Sequence, residues 1–258
     1  MKIYIVTDLE GATGVFKWKQ TREKETPEFR DAMRLLMGDI AAVAEGLKQG
    51  GATEVLVLDG HNGGNNFIPD CMVPGVRYIT GLPRPGPLCG LDESFDGIVL
   101  VGYHARNGTP DGVLHHTQSS LAEKKYWYDD VERGEIYQCA VAAGHYDVPV
   151  ILVTGDEAAC REARELLGEE LSTVAVKKGI SREAAVLLAA EETRPMLIEG
   201  AQRAMNELGG RKPLKPHFPV KLRIRSIGPN AAEPDTPWYS DRECIVRNGL
   251  DVISGSDE

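Results

Sequence analysis

Along this chain of 258 residues, apolar positions form short β-rich runs that alternate with stretches of helical spacing. Lys2 to Thr7 is the first such run, and it stops at a polar segment containing glycine. From residue 27 to 50, Phe29, Met33, Leu36, Met37, Ile40, Val43 and Leu47 recur three or four apart, which predicts an amphipathic helix. Pro27 suits its first turn and Gly50-Gly51 its end. Further strands are expected at 55–58, 76–80, 98–101 and 148–153, with helices at 136–143 and 156–167. Continuous apolar strands separated by helices imply a three-layer α/β fold, a mostly parallel sheet with helices on both faces. In such sheets ligands sit beyond the carboxyl ends of the strands.

The texture changes near residue 180. Ser181 is expected to cap a helix over 184–190, and Pro195 to open another toward Leu208. Residues 220–227 alternate apolar with basic, the pattern of a half-exposed strand, and 244–246 is a second candidate. The expected organisation is therefore an α/β domain at 1–180 and a smaller α+β lobe at 181–258, the latter a candidate for oligomerisation. Residues 254–258 read as a disordered tail.

Composition narrows the partners. With 29 basic against 39 acidic residues the formal charge is −10, which repels a phosphate backbone and disfavours nucleic acid. The first apolar run is cut off at Asp8, too short for a membrane span or a targeting core, and no membrane partner is expected. Five cysteines without a C-x-x-C pair suit a reducing, cytoplasmic setting and read as buried small hydrophobes.

Polar residues cluster where the strands end. Asp8 and Glu10 follow the first strand, His61 the second within Asp59-Gly60-His61, and His104 the fourth within Gly102-Tyr103-His104. His115 and His116 come soon after, and Glu135 opens a helix. Each has an ordinary explanation: solvated loop acids, a turn histidine, a first-turn glutamate favoured by the helix dipole. Their coincidence on one sheet edge is harder to dismiss. Asp59 is expected to orient the His61 ring. Imidazoles and carboxylates without thiolate suit zinc, manganese or iron. Five ligands exceed one catalytic zinc but serve two metals if one carboxylate bridges, and Asp8 is placed for that. Two rivals stand beside a binuclear hydrolase. One is a magnesium phosphohydrolase using Asp8 and Asp156; the other is a non-catalytic protein whose metals hold loops together.

In order, Asp8-Leu9-Glu10-Gly11, Asp59-Gly60-His61 with Asn65-Asn66, Gly102-Tyr103-His104-Ala105-Arg106, Gly134-Glu135, Tyr146-Asp147-Val148-Pro149-Val150 and Gly155-Asp156 resemble the DppA-type D-aminopeptidases, peptidase family M55. The family's opening signature has serine where this chain has Val6. The resemblance implies two zinc ions per subunit held by Asp8 (bridging), Glu10, His61, His104 and Glu135. It implies His116 as the catalytic histidine, from an alignment on Gly112-Val113. It further implies hydrolysis of the N-terminal bond of short peptides such as D-Ala-D-Ala, in a homo-oligomer of stacked rings.

Overall fold

The computed structural model describes residues 1–227 and 239–254; the expected tail from 255 onward lies outside them. Eleven strands are described: β1 (Lys2–Thr7), β2 (Glu54–Asp59), β3 (Arg77–Ile79), β4 (Gly97–Tyr103), β5 (Lys125–Tyr128), β6 (Val131–Arg133), β7 (Val150–Asp156), β8 (Ser172–Ser181), β9 (Ala184–Leu187), β10 (Val220–Ile227) and β11 (Tyr239–Val246). The helices are α1 (Lys19–Arg22), α2 (Pro27–Gln49), α3 (Glu135–His145), α4 (Glu157–Leu167), α5 (Ala190–Glu207) and α6 (Asp251–Ser254).

The main sheet has the order β3-β2-β1-β4-β7-β8-β9. Every pairing is parallel except β8 with β9. On one face, Ile3, Ile5, Val99 and Val101 pack against the apolar stripe of α2 (Phe29, Leu36, Ile40, Leu47) and Leu197 and Ala201 of α5. On the other face, Tyr4, Val6, Ile98 and Leu100 meet Ile136, Ala140 and Val141 of α3 and Ala159 and Ala163 of α4. The helical spacing in 27–50 thus produces the buried stripe, and Thr26 caps it by accepting from the Phe29 N–H at 3.3 Å. A second, antiparallel sheet, β11-β10-β5-β6, adds Tyr126, Tyr128, Leu222 and Ile224 to the α3 side of the core. Among the described residues no helix is long and apolar enough to cross a membrane.

The chain beyond residue 172 departs from the periodicity reading. β8 runs through residue 180, and 184–187 turns back on it as an antiparallel strand instead of forming a helix capped by Ser181. A four-residue apolar run is compatible with either state, and the open edge of β8 decides it by supplying hydrogen-bond partners. The next helix starts at Ala190, with Glu192 accepting from the Ala189 N–H at 3.0 Å, so Pro195 lies inside it. There proline forfeits one backbone bond, and packing on α2 holds the helix. The expected boundary at 180 is crossed in both sheets. β9 extends the first, and β10 of the second pairs with β5.

Register sets the position of the site. Thr7 lies level with Asp59 on β2 and with Val101 on β4. Asp8, His61 and His104 therefore leave the sheet at its carboxyl edge, side by side.

Candidate metal centre

After β1 the chain bends across the end of β4. The Asp8 N–H donates to the Val101 carbonyl at 2.8 Å and the Gly11 N–H to Gly102 at 2.7 Å. A Cβ on Gly11 would lie 2.0 Å from the Tyr103 carbonyl oxygen, and one on Gly102, at φ 74°, 2.3 Å from that of Asp8. Only glycine permits this approach. Leu9 is fully buried between the two carboxylates, so the turn directs Asp8 and Glu10 to the same side.

The loop itself is held by buried ions. The Lys177 ammonium, fully buried on β8, donates to the carbonyls of Glu10 (2.6 Å), Ala12 (2.7 Å) and Val15. Burial draws its pKa down to about 8. From the other side Asp39 accepts from the Thr13 N–H at 2.8 Å, and burial raises that carboxyl to about 6. Lys177→Met leaves three carbonyls without partners, at about 1–3 kcal/mol each before relaxation. The expected loss is about 3 kcal/mol or more in chemical denaturation, with weaker metal retention; a loss below about 1 kcal/mol would show the clamp dispensable.

Each histidine of the cluster has one ring nitrogen committed to a backbone carbonyl. His61 Nε2 donates to Thr21 (2.9 Å), His104 Nδ1 to Ala105 (2.9 Å) and His116 Nδ1 to Leu114 (2.8 Å). The opposite nitrogens face the acids. His61 Nδ1 lies 2.9 Å from Asp8 Oδ1 and 3.0 Å from Glu10 Oε2. His104 Nε2 lies 3.3 Å from Asp8 Oδ2 and 3.4 Å from Glu135 Oε1. Thus the two oxygens of Asp8 face two different imidazoles, one beside Glu10 and one beside Glu135. His116 Nε2 stands 4.0 Å from Glu135, its ring stacked on His104 at 3.9 Å and edge-on to Trp18 at 5.6 Å. The Gln118 N–H fixes Glu135 at 2.6 Å.

This donor set fits a cation. Neutral rings with those tautomers aim lone pairs at carboxylate oxygens, an arrangement that needs positive charge between them. Glu10 Oε2 and His104 Nε2 are buried without a hydrogen bond among the described residues. The donor atoms of Asp8, Glu10 and His104, and those of His104, His116 and Glu135, each lie within 4.8 Å of one another. Without metal the charge comes from protons. Burial opposes it, yet Glu10 and Asp8 hold His61, and Asp8 and Glu135 hold His104, well above the ordinary imidazole range. Burial likewise opposes the charge on Asp8, but His104 and His61 keep its carboxyl well below the usual value. His116 differs: burial and the neighbouring His104 push its pKa below the ordinary imidazole value.

A cavity of about 610 Å³ opens onto the cluster, between the 60–63 turn, the Thr21-Arg22 segment and residues 118–121. His115 turns away, accepting from the Gly108 N–H at 3.0 Å. His145 and His217 are exposed. Asp59 does not touch the His61 ring. Its oxygens take the Asn66 N–H (2.7 Å), the Asn66 amide (2.8 Å) and the Thr80 hydroxyl (2.8 Å), bracing the loop that carries His61. The orienting group is the Thr21 carbonyl, from a segment with no motif to reveal it. Val6 is buried beside Leu58, so the serine of the signature is replaced by core packing.

The D-aminopeptidase family model matches residues 1–237. A D-aminopeptidase of Bacillus subtilis (strain 168) is 36% identical over 242 residues, covering 90% of this chain and 84% of the relative. The structure of the Zn-dependent D-aminopeptidase DppA from Bacillus subtilis, described as a self-compartmentalizing protease, superposes with a TM-score of 0.89. It covers 98% of this chain and 94% of that one, at 28% identity in the structural alignment.

Proposed function

The chain belongs to peptidase family M55, the D-aminopeptidases, and from that premise we propose that it hydrolyses the N-terminal bond of short D-amino-acid peptides such as D-Ala-D-Ala. The observation that carries this reading is the division of one carboxylate between two imidazoles. Asp8 would bridge two zinc ions, one also held by Glu10 and His61, the other by His104 and Glu135. Zinc bound there supplies Lewis-acid polarisation of the scissile carbonyl and a water acidified toward neutral pH.

The protein's own groups handle the proton. Burial and His104 hold the His116 pKa below the ordinary imidazole value, and Leu114 holds its Nδ1–H, which leaves Nε2 as the acceptor of a residue that lines the cavity. Nε2 takes the proton of the attacking water and returns it to the departing amine. The faces of His104 and the edge of Trp18 keep the ring in one plane for that transfer.

Against a phosphohydrolase stands the use already made of Asp156. It accepts from the Val113 N–H at 2.5 Å and caps α4 through the Ala159 N–H at 2.7 Å. Against a purely structural cluster stands the cavity that reaches it. D-selectivity follows from the family. From the relative described as self-compartmentalizing we take a homo-oligomer of stacked rings that admits only small peptides, with residues 181–258 contributing to assembly. Five unpaired thiols suit the cytoplasm.

Metal analysis with hydrolysis of D-Ala-D-Ala and L-Ala-L-Ala tests the reading. Two zinc ions per chain, cleavage of the D-peptide alone, loss on chelation and recovery with zinc are expected. A metal-loaded protein that cleaves neither peptide would sink it.

A further inference from the structure

The cavity contains a cation that the metal chemistry leaves unused. Arg22 follows Thr21 on the cavity wall, its guanidinium 3.6 Å over the Trp18 ring. Nε donates to the Ser120 hydroxyl (3.2 Å) and one Nη2 hydrogen to the Ser120 carbonyl (3.1 Å). Of the five guanidinium donors two are thereby used, which leaves three without a partner among the described residues. No carboxylate lies within ion-pair distance of Arg22 among those residues, in a chain of net charge −10. Arg182, the second guanidinium over Trp18 at 5.2 Å, has such a partner in Glu123 at 2.7 Å. Glu10, Glu123 and Glu183 act on Arg22 only at a distance, and a half-buried, stacked arginine with no direct ion pair is suited to an anion from outside the chain.

A second observation lies one residue away. Thr21 lines the same cavity, and its buried hydroxyl has no hydrogen-bond partner among the described residues. Buried polar atoms left unpaired are uncommon and call for an external partner. A carboxylate beside Arg22 would offer that partner an oxygen acceptor.

We propose that Thr21 and Arg22 form the subsite for the C-terminal carboxylate of the substrate peptide. The proposal rests on the aminopeptidase reading and adds to it a ruler: the metal end takes the amino terminus and the Arg22 end the free carboxylate. Peptides blocked or extended at the C-terminus bind less well because the guanidinium fork loses its bidentate partner. Nothing in the cluster of five ligands would impose that preference.

The test uses an uncleavable D-Ala-D-Ala analogue, with CH2–NH in place of the scissile amide, as the free acid and as the carboxamide. Both are titrated calorimetrically into the zinc-loaded wild type, Arg22→Gln and Arg22→Lys. The wild type is expected to bind the acid at least ~10-fold more tightly than the amide, because the charge-assisted pair is lost with the carboxylate. Arg22→Gln should bring the ratio to within about twofold. Arg22→Lys, which keeps the charge without the fork, should fall between, and it decides the matter alone if the glutamine variant does not fold. An acid-to-amide ratio unchanged by either variant, or absent in the wild type, overturns the subsite. If the wild type cleaves no short peptide while the ratio behaves as expected, the aminopeptidase reading fails and the carboxylate subsite stands.

Discussion

Asp8→Ala is expected to remove metal from the protein and to lower kcat/KM by about 10³-fold or more, an effect of roughly 4 kcal/mol on the transition state. Asp8 faces both of the buried imidazoles, with Oδ1 at 2.9 Å from His61 and Oδ2 at 3.3 Å from His104. Loss of Glu10 or Glu135 leaves one side of the cluster complete, whereas loss of Asp8 leaves both sides short of an anion. The substituted protein also retains Glu10 and Glu135 opposite imidazoles that have lost their shared acceptor, so neither pair keeps its geometry. Metal content by elemental analysis and peptide turnover, measured on the same preparation, decide the point. Two metals retained at wild-type affinity would mean that Asp8 does not bridge.

His116→Ala separates chemistry from metal binding. Its Nε2 stands 4.0 Å from Glu135, and its ring is fixed by Leu114, His104 and Trp18, outside the contacts of Asp8 with His61 and His104. The expected result is full metal content with kcat lower by about 10²–10⁴-fold, the contribution of a positioned proton acceptor. KM should change little, because the ring binds neither terminus of the peptide. His116 is nevertheless close enough to His104 and Glu135 to share a cation. A variant that loses one metal along with its activity would identify His116 as a ligand and not as the proton acceptor.

These two residues also mark how far the chain could be read unaided. Asp8, His61 and His104 were legible because each follows directly on an apolar run, and parallel strands with helices between them must end on one edge. Glu135 and His116 were less so. A glutamate at a helix start and two adjacent histidines have ordinary explanations, and only the ordered resemblance to a family chose among them. Asp59 was assigned to the His61 ring from its nearness in sequence, yet it braces Asn66 and Thr80 instead. The helix expected over 184–190 became a strand because a free sheet edge outweighs the preference of four apolar residues.

The sequence by itself determined the alternation of strands and helices, the parallel core and the edge on which the acids and histidines gather, and its ordered motifs carried the resemblance to the family. The first three follow from periodicity and chain order, which are local. Only the tertiary structure decided that Thr21 orients His61, that Lys177 clamps the loop carrying Glu10 from 167 residues away, and that Arg22 shares the cavity with the cluster. In each case a polar atom is satisfied, or left open for a ligand, by groups distant in the chain. Such partnerships depend on which segments the packed core brings within about 3 Å, a reach that local pattern does not encode.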